Sequence, residues 1–524
     1  MQRPVRFVRD ATGLVREFSA FDAFMIGTAV VLPGIFGYSS VIGFISGADP
    51  GANFVLSAIF GFLIMAPLGF IYILIAGVLP RSGGDYVWIS RTIHPILGFI
   101  SGWGLWISIV AIVGLDGFLT GTLIIPITLV SFGSISNNAS LLNLAAQAGT
   151  PTGAFLIGLL MIGVSTLIIL PGPKSFSRIQ TTLFAIIMIG TVTSFGVLLT
   201  SSHTQFVNAL TGFAGTNITY NGVISQAQSS GWSFAPVALA PTLTSIPLSV
   251  LVYNGFNYSA AAAGEIKNVK RSMLFGIFGA LVFSMIVTII GVLLSLNILG
   301  YDFIQASFFL GGKFPLPAPP WMPLFLTALN PSAIIVILIQ AAWIISIFWN
   351  TAAFLLVATR YVFAFSFDRV LPMRLADVNE RFHFPLKASV LNFVVAGVFL
   401  FIASYTPWLG LYLNSVTIWS LLWIVVSVVA IVLPFRKRDL VSSLPGGRWK
   451  LPLLSIVGIV ALPLMVANFY WSVTTPAIGP STLQADSILV VIFVTGLVTY
   501  LVSNYYHKSH GVDLKAIYSE IPPE

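Results

Sequence analysis

The sequence predicts an all-α integral membrane protein of twelve transmembrane helices, on three observations: its composition, its long apolar runs and the placement of its positive charges. Of 524 residues, 57% are hydrophobic and only 8% charged, with mean hydropathy +0.97. A water-facing surface needs about 25% charged residues, so most of this surface faces something else. Apolar runs long enough to cross a hydrocarbon core about 30 Å thick recur along the whole chain. In lipid each backbone N–H and C=O must be paired within its own segment, which makes such runs helices. Alternating ten-residue strands of a membrane barrel would read differently.

The expected spans are 20–46, 52–79, 96–130, 153–171, 179–200, 241–263, 272–298, 331–364, 388–404, 410–433, 451–472 and 485–504. They divide the chain into an N-terminal segment (1–19), a first five-helix group (20–200), an external loop (201–240), a second five-helix group (241–433), two further helices (434–504) and a tail (505–524). The first span follows Arg3, Arg6, Arg9 and Arg16, as a signal peptide would. Its apolar run is longer than the ~7–15 residues of a cleaved signal, and it is expected to stay in the membrane.

Every Lys and Arg of the 24 except Lys313 then falls at the same side of the membrane. Short basic loops stay cytoplasmic, so both termini are expected inside a cell membrane. The net charge of +8 therefore points to anionic lipid and not to nucleic acid. The absence of cysteine excludes disulfides, thiolate metal sites and thiol catalysis. The five histidines lack metal-ligand spacing, and paired catalytic carboxylates or a nucleophile with its base are not found, so no enzyme, metal or cofactor is expected.

Two spans carry interruptions near their middles. The first holds Pro33-Gly34-Ile35-Phe36-Gly37, and the sixth holds Tyr253-Asn254-Gly255-Phe256-Asn257. Proline removes a helical hydrogen bond and glycine permits unwinding. Helices 1 and 6 start on opposite sides and stand five apart, the spacing of a five-helix inverted repeat. One such break alone reads as a kink or packing face. Matched breaks in corresponding helices point to a binding site at mid-membrane. Half-helix N-termini suit a carboxylate, and C-terminal carbonyls suit an ammonium or a metal cation. A zwitterionic amino acid presents both charges.

Asp116 is the acidic residue deepest in an apolar segment, about 20 residues into helix 3. An intramembrane carboxylate usually faces a partner or a water-filled path. It is expected to bind a cationic substrate group or carry a coupling proton, against the alternative of a structural Asp bonded to nearby Ser or Thr. Asn350 in helix 8 reads as a helix–helix hydrogen bond or as part of a cation or substrate site. Glu265 with Lys267, and Asp368 with Arg360, are boundary charges that read as inner-gate pairs or as solvated loop residues. Ser82-Gly83-Gly84 lacks the spacing, Lys and strand–helix setting of a phosphate loop and reads as a turn gating the inner exit.

Four stretches together resemble the amino acid–polyamine–organocation superfamily of permeases. They are Gly34-Ile35-Phe36 with Gly27 before it; Pro80-Arg-Ser82-Gly83-Gly84-Asp-Tyr86; Gly255-Phe256 followed by Glu265, Asn268 and Arg271; and Arg360 through Asp368 to Leu371-Pro372. Pro33, Asn257 and Val269 depart from the family pattern, and helix 5 holds no intramembrane lysine. The resemblance implies the LeuT-type fold, five helices plus five inverted, with helices 11 and 12 peripheral. It also implies a substrate held between the broken helices and flanked by helices 3 and 8. The expectation is a secondary active amino-acid permease working by alternating access, coupled to protons or sodium or exchanging substrates. Its rivals are a polyamine or nucleobase-like carrier on the same fold, and a membrane nutrient sensor or channel.

Overall fold

The computed structural model describes residues 16–30, 34–406, 414–448, 450–475 and 483–519. Among them every regular element is helical, and extended pairing is limited to two isolated bridges. The first half contains α1 (Ala20–Val30), α2 (Ile35–Ala48), α3 (Phe54–Val78), α4 (Gly84–Thr92), α5 (Pro95–Leu119), α6 (Ile125–Ser136), α7 (Ala139–Ala148), α8 (Pro151–Ile169) and α9 (Pro173–Thr200). Proline opens α5, α8 and α9, where its missing N–H costs nothing. The Asn53 side chain caps α3 by accepting from Leu56 N at 3.0 Å. Between α5 and α6 the helix widens into a π-turn over Thr120–Ile124. Pro126 begins the next stretch and cannot donate four residues back, which favours the wider turn.

Next come α10 (His203–Leu210), α11 (Tyr220–Ser229), α12 (Leu239–Thr244), α13 (Ile246–Tyr253) and the four-residue α14 (Tyr258–Ala261). They are followed by α15 (Val269–Met273), a second π-turn over Leu274–Gly279, α16 (Ala280–Leu299), α17 (Tyr301–Leu310), α18 (Met322–Leu329) and α19 (Ala333–Phe367). The chain finishes with α20 (Leu386–Tyr405), α21 (Asn414–Arg436), α22 (Arg438–Val441), α23 (Leu453–Thr474), α24 (Leu483–Ser509) and α25 (Leu514–Ser519).

Eleven helices among the described residues are long and apolar enough to cross a membrane. Each matches one expected span to within six residues at either end. The remaining span, 241–263, is not a continuous helix: it is the short apolar stretch Leu239–Tyr253, then an interruption, then α14. The connection expected as an external loop at 201–240 contains α10 and α11, and the one before helix 8 contains α17 and α18. The hydroxyl of Tyr220 on α11 donates to the Leu299 carbonyl at 3.1 Å, which ties these outer helices to the end of α16.

The buried centre is formed by α1, α2, α5, α13, α14 and α19, where α1 and α19 are almost entirely enclosed on the faces they share. Peripheral helices such as α8, α20, α23 and α24 expose Leu, Val and Phe outward, as a lipid-facing surface requires. Small residues bring α1 close to the second π-turn. A methyl group at Gly27 would lie 2.9 Å from the Gly276 carbonyl, and one at Gly276 would meet Ala23 at 2.9 Å. Such close backbone approach is how helices pack where lipid removes the hydrophobic drive between them.

Candidate functional site

The two interrupted helices meet at their interruptions. α1 ends at Val30, and Gly255 in the break of helix 6 has φ +107°. A β-carbon at Gly255 would stand 2.0 Å from Val30 Cγ1, so both the backbone conformation and the contact require glycine there. Gly34 (φ +78°) precedes α2, whose first amide, Ile35 N, donates to Thr191 Oγ1 on α9 at 3.2 Å. Gly37 N turns back to the Gly34 carbonyl at 3.1 Å. Pro33 lies outside the described residues.

Around helix 6 the side chains divide. The Tyr253 ring leans on α3 beside Gly61 and Phe62, and the Phe256 ring lies 6.0 Å from Tyr72 on the same helix. These two rings therefore turn away from α1. The Phe256 carbonyl is the part that approaches Gly27. Asn254 Oδ1, Asn257 Oδ1 and the hydroxyls of Tyr253 and Tyr258 are buried without a hydrogen-bond partner. Tyr258 stands beside Asn254 but not in bonding geometry. Buried polar atoms are normally paired, so the acceptors of Asn254 and Asn257 and the Tyr258 hydroxyl are suited to a polar ligand or a proton.

Asn350 on α19 donates from Nδ2 to the Ala29 carbonyl at 3.1 Å and to the Val30 carbonyl at 3.5 Å. A neutral amide thus occupies the C-terminal end of α1, where a cation would otherwise be favoured. The next residue, Thr351, donates to Asp116 Oδ2 at 2.9 Å. Asp116 is buried close to halfway along the 42-residue run Pro95–Ser136, one turn before the π-turn. Two successive residues of α19 therefore link the break of helix 1 to the carboxylate of α5.

The break is covered on both sides. On the face that carries the Lys- and Arg-rich connections (the basic face), Arg360 grips Glu265 with Nε–Oε1 at 2.5 Å and Nη2–Oε2 at 2.8 Å, both side chains fully enclosed. Arg91 grips Asp368 at 2.6 and 2.7 Å, and the Tyr86 hydroxyl donates to the same carboxylate at 2.6 Å. This corrects the pairings expected from sequence, Glu265 with Lys267 and Asp368 with Arg360. Arg360 lies in the last third of the long helix α19, where it meets the turn after α14 instead of its own connection. Lys267 is exposed, and its backbone pairs with Phe18, N to O at 2.8 Å. On the opposite face the Phe36 ring packs 4.9 Å from Trp343 and 6.3 Å from Trp321. Beyond them Gln340 bonds Ser131 at 2.9 Å and Thr128 at 3.1 Å.

Asp85 reads in sequence as part of a gating turn, yet it is one of the most enclosed carboxylates among the described residues. The hydroxyls of Tyr72 and Tyr361 donate to it at 2.7 and 2.5 Å, and Tyr86 N at 2.9 Å. Its tyrosine partners lie 13 and 276 residues away, a separation that no local pattern reveals. Thr191, Thr351 and Trp343 were missed for the same reason.

Comparison with known proteins agrees with this architecture. Residues 18–498 match the amino acid permease family. A methylthioribose transporter of Bacillus subtilis is 24% identical over 87% of this chain and 88% of its own length. A glutamate/serine transporter of the same organism, AimA, is 24% identical over 74% of this chain and 66% of its own length. The branched-chain amino acid permease BcaP of Lactococcus lactis is 23% identical over 83% and 85%. With the family match running from the N-terminal end of α1 into α24, the chain is a multi-pass membrane transporter that belongs to the amino acid permease family.

Proposed function

We propose that this transporter is a secondary active amino-acid permease of a cell membrane, working by alternating access with both termini cytoplasmic. The contact of the two interruptions, Val30 against Gly255, is the observation that carries the reading. It supports a site that joins the N-terminal end of α2 to the unpaired amide oxygens of Asn254 and Asn257. The substrate carboxylate takes the amide end of α2 near Gly34–Gly37, and the amine takes acceptors at the helix 6 break. The basic-face pairs and the Phe36–Trp343–Trp321 group act as the two gates. Residues 20–200 and 241–433 form the two inverted repeats, with 434–504 peripheral. Asp116 adds a negative charge beside this region, either to a cationic substrate group or as a proton carrier.

Uptake of a labelled amino-acid and polyamine panel into proteoliposomes, with imposed proton or sodium gradients, tests this. Saturable uptake of one amino-acid class is expected, and counterflow separates a carrier from a channel or sensor. Because one relative is named for methylthioribose, that solute belongs in the panel as the second reading. Asp116→Asn with full uptake and unchanged pH dependence sinks both roles given to Asp116.

A further inference from the structure

We propose that Asp85 is the coupling-proton site of this transporter, which leaves Asp116 the substrate-charge role, and that its protonation is read at the break of helix 6 through Tyr72 and Asn257. The inference rests on the permease reading and supplies its coupling ion.

Geometry is the first support. Asp85 sits in α4, outside the eleven membrane-length helices, and is enclosed by α3, α14 and α19. Its oxygens accept only from neutral donors: Tyr72 on α3, Tyr361 on α19 and the Tyr86 amide. Tyr258 on α14 is close enough to sense its charge. The cations nearby are committed elsewhere. Arg360 holds Glu265, Arg91 holds Asp368 beside Tyr518 of α25, Arg81 bonds the Pro80 carbonyl, and Arg436 of α21 bonds the Thr92 and Ile93 carbonyls. A buried carboxylate without a cation favours its protonated form. Burial pushes the Asp85 carboxyl up to about 6, against the opposing hydrogen bonds of Tyr361 and Tyr72. That value lies where a modest gradient changes occupancy.

The second support is the hydrogen-bond count around it. With Asp85 ionised, the hydroxyl hydrogens of Tyr72 and Tyr361 are both committed to its carboxylate, and Asn257 Oδ1 is buried without a donor. Asn257 adjoins the Tyr72 hydroxyl. A proton taken from hydronium forms one O–H bond on Asp85 Oδ2 and leaves water. Tyr72 then accepts from Asp85 and its own hydrogen is released towards Asn257, whose amide turns from offering its NH2 to Tyr72 to presenting Oδ1. The added proton thus removes an unpaired acceptor at the substrate break, which links proton and substrate occupancy. Sodium fits this place poorly, because hydroxyls already point their hydrogens at both oxygens.

The experiment is amino-acid uptake into proteoliposomes across external pH, with an alkaline interior or none, for the native protein, Asp85→Asn and Tyr361→Phe. The native protein should accumulate up to about tenfold more substrate per pH unit of gradient at one proton per substrate. Its uptake should rise as pH falls through about 6. Asp85→Asn should lose the gradient response and flatten the pH profile. Tyr361→Phe, which removes one donor to the ionised form, should move the midpoint up by about one unit. An Asp85→Asn protein with the native gradient response overturns the proposal, as does uptake that follows sodium and ignores protons. If Asp85→Asn fails to reach the membrane, an unmoved midpoint in Tyr361→Phe overturns it equally. A native protein that carries no amino acid in uptake or counterflow fails the permease reading itself and takes this inference with it.

Discussion

Glu265 and Arg360 form a two-point ion pair, 2.5 and 2.8 Å, with neither side chain reaching solvent. It joins the turn after α14 to α19, and so ties the second part of the broken helix 6 to one of the longest helices among the described residues. The turn is also held by Phe18, whose N–H donates to the Glu265 carbonyl at 3.0 Å. Removing one partner of a buried pair strands a charge and costs about 3–5 kcal/mol.

Glu265→Gln should therefore open the basic face. Since the chain has no native cysteine, a single cysteine placed at Ala261 reports the opening by its alkylation rate, which should rise at least tenfold. An unchanged rate would mean that the pair does not hold this face closed.

Gly255→Ala should abolish uptake. The left-handed backbone alone costs a residue with a β-carbon about 1–2 kcal/mol, and Val30 blocks the space. Val30→Gly in the same protein should restore thermal stability only in part, because it clears the clash and leaves the backbone strain. Full recovery of the melting temperature would show that strain at 255 is negligible.

Asn350→Ala should lower stability by about 1–3 kcal/mol, the cost of leaving buried acceptors unpaired. Asn350→Asp should be worse, since a carboxylate would face the Ala29 and Val30 carbonyls. Denaturation midpoints of the detergent-purified variants rank them. If Asp is milder than Ala, a cation has entered at the end of α1.

Stability should depend on pH through Asp85 with a definite sign. Its carboxyl is raised in the folded state from 3.8 to about 6, so the folded protein binds the proton more tightly than the unfolded chain. Stability from this group is full below the unfolded value and falls as pH rises towards 6. Asp85→Asn should remove that slope in a thermal-shift series. A slope of the same size in the variant would assign it to other groups.

The membrane class, the span positions and the two interruptions are legible along the chain, because these depend on local features: apolar run length, proline, glycine and loop charge. The runs at 272–298 and 388–404 needed no partner to be read. Gly34 and Gly255 were legible as breaks because each stands with proline or asparagine near mid-span and the two spans are five apart. What each break touches was decided only by the tertiary structure. Tyr253 and Phe256 sit in the break but lean on α3, and the sequence carries no sign of which way a ring turns. Glu265 and Arg360, 95 residues apart, became partners because α19 passes the end of α14, whereas Lys267, two residues from Glu265, points to solvent. Asp85 gives the sharpest case. In sequence it is one charge in a polar turn, and only the convergence of α3, α4 and α19 removes its water and leaves it three neutral donors. Burial and pairing come from distant chain segments meeting, and a linear pattern records only the neighbours along the chain.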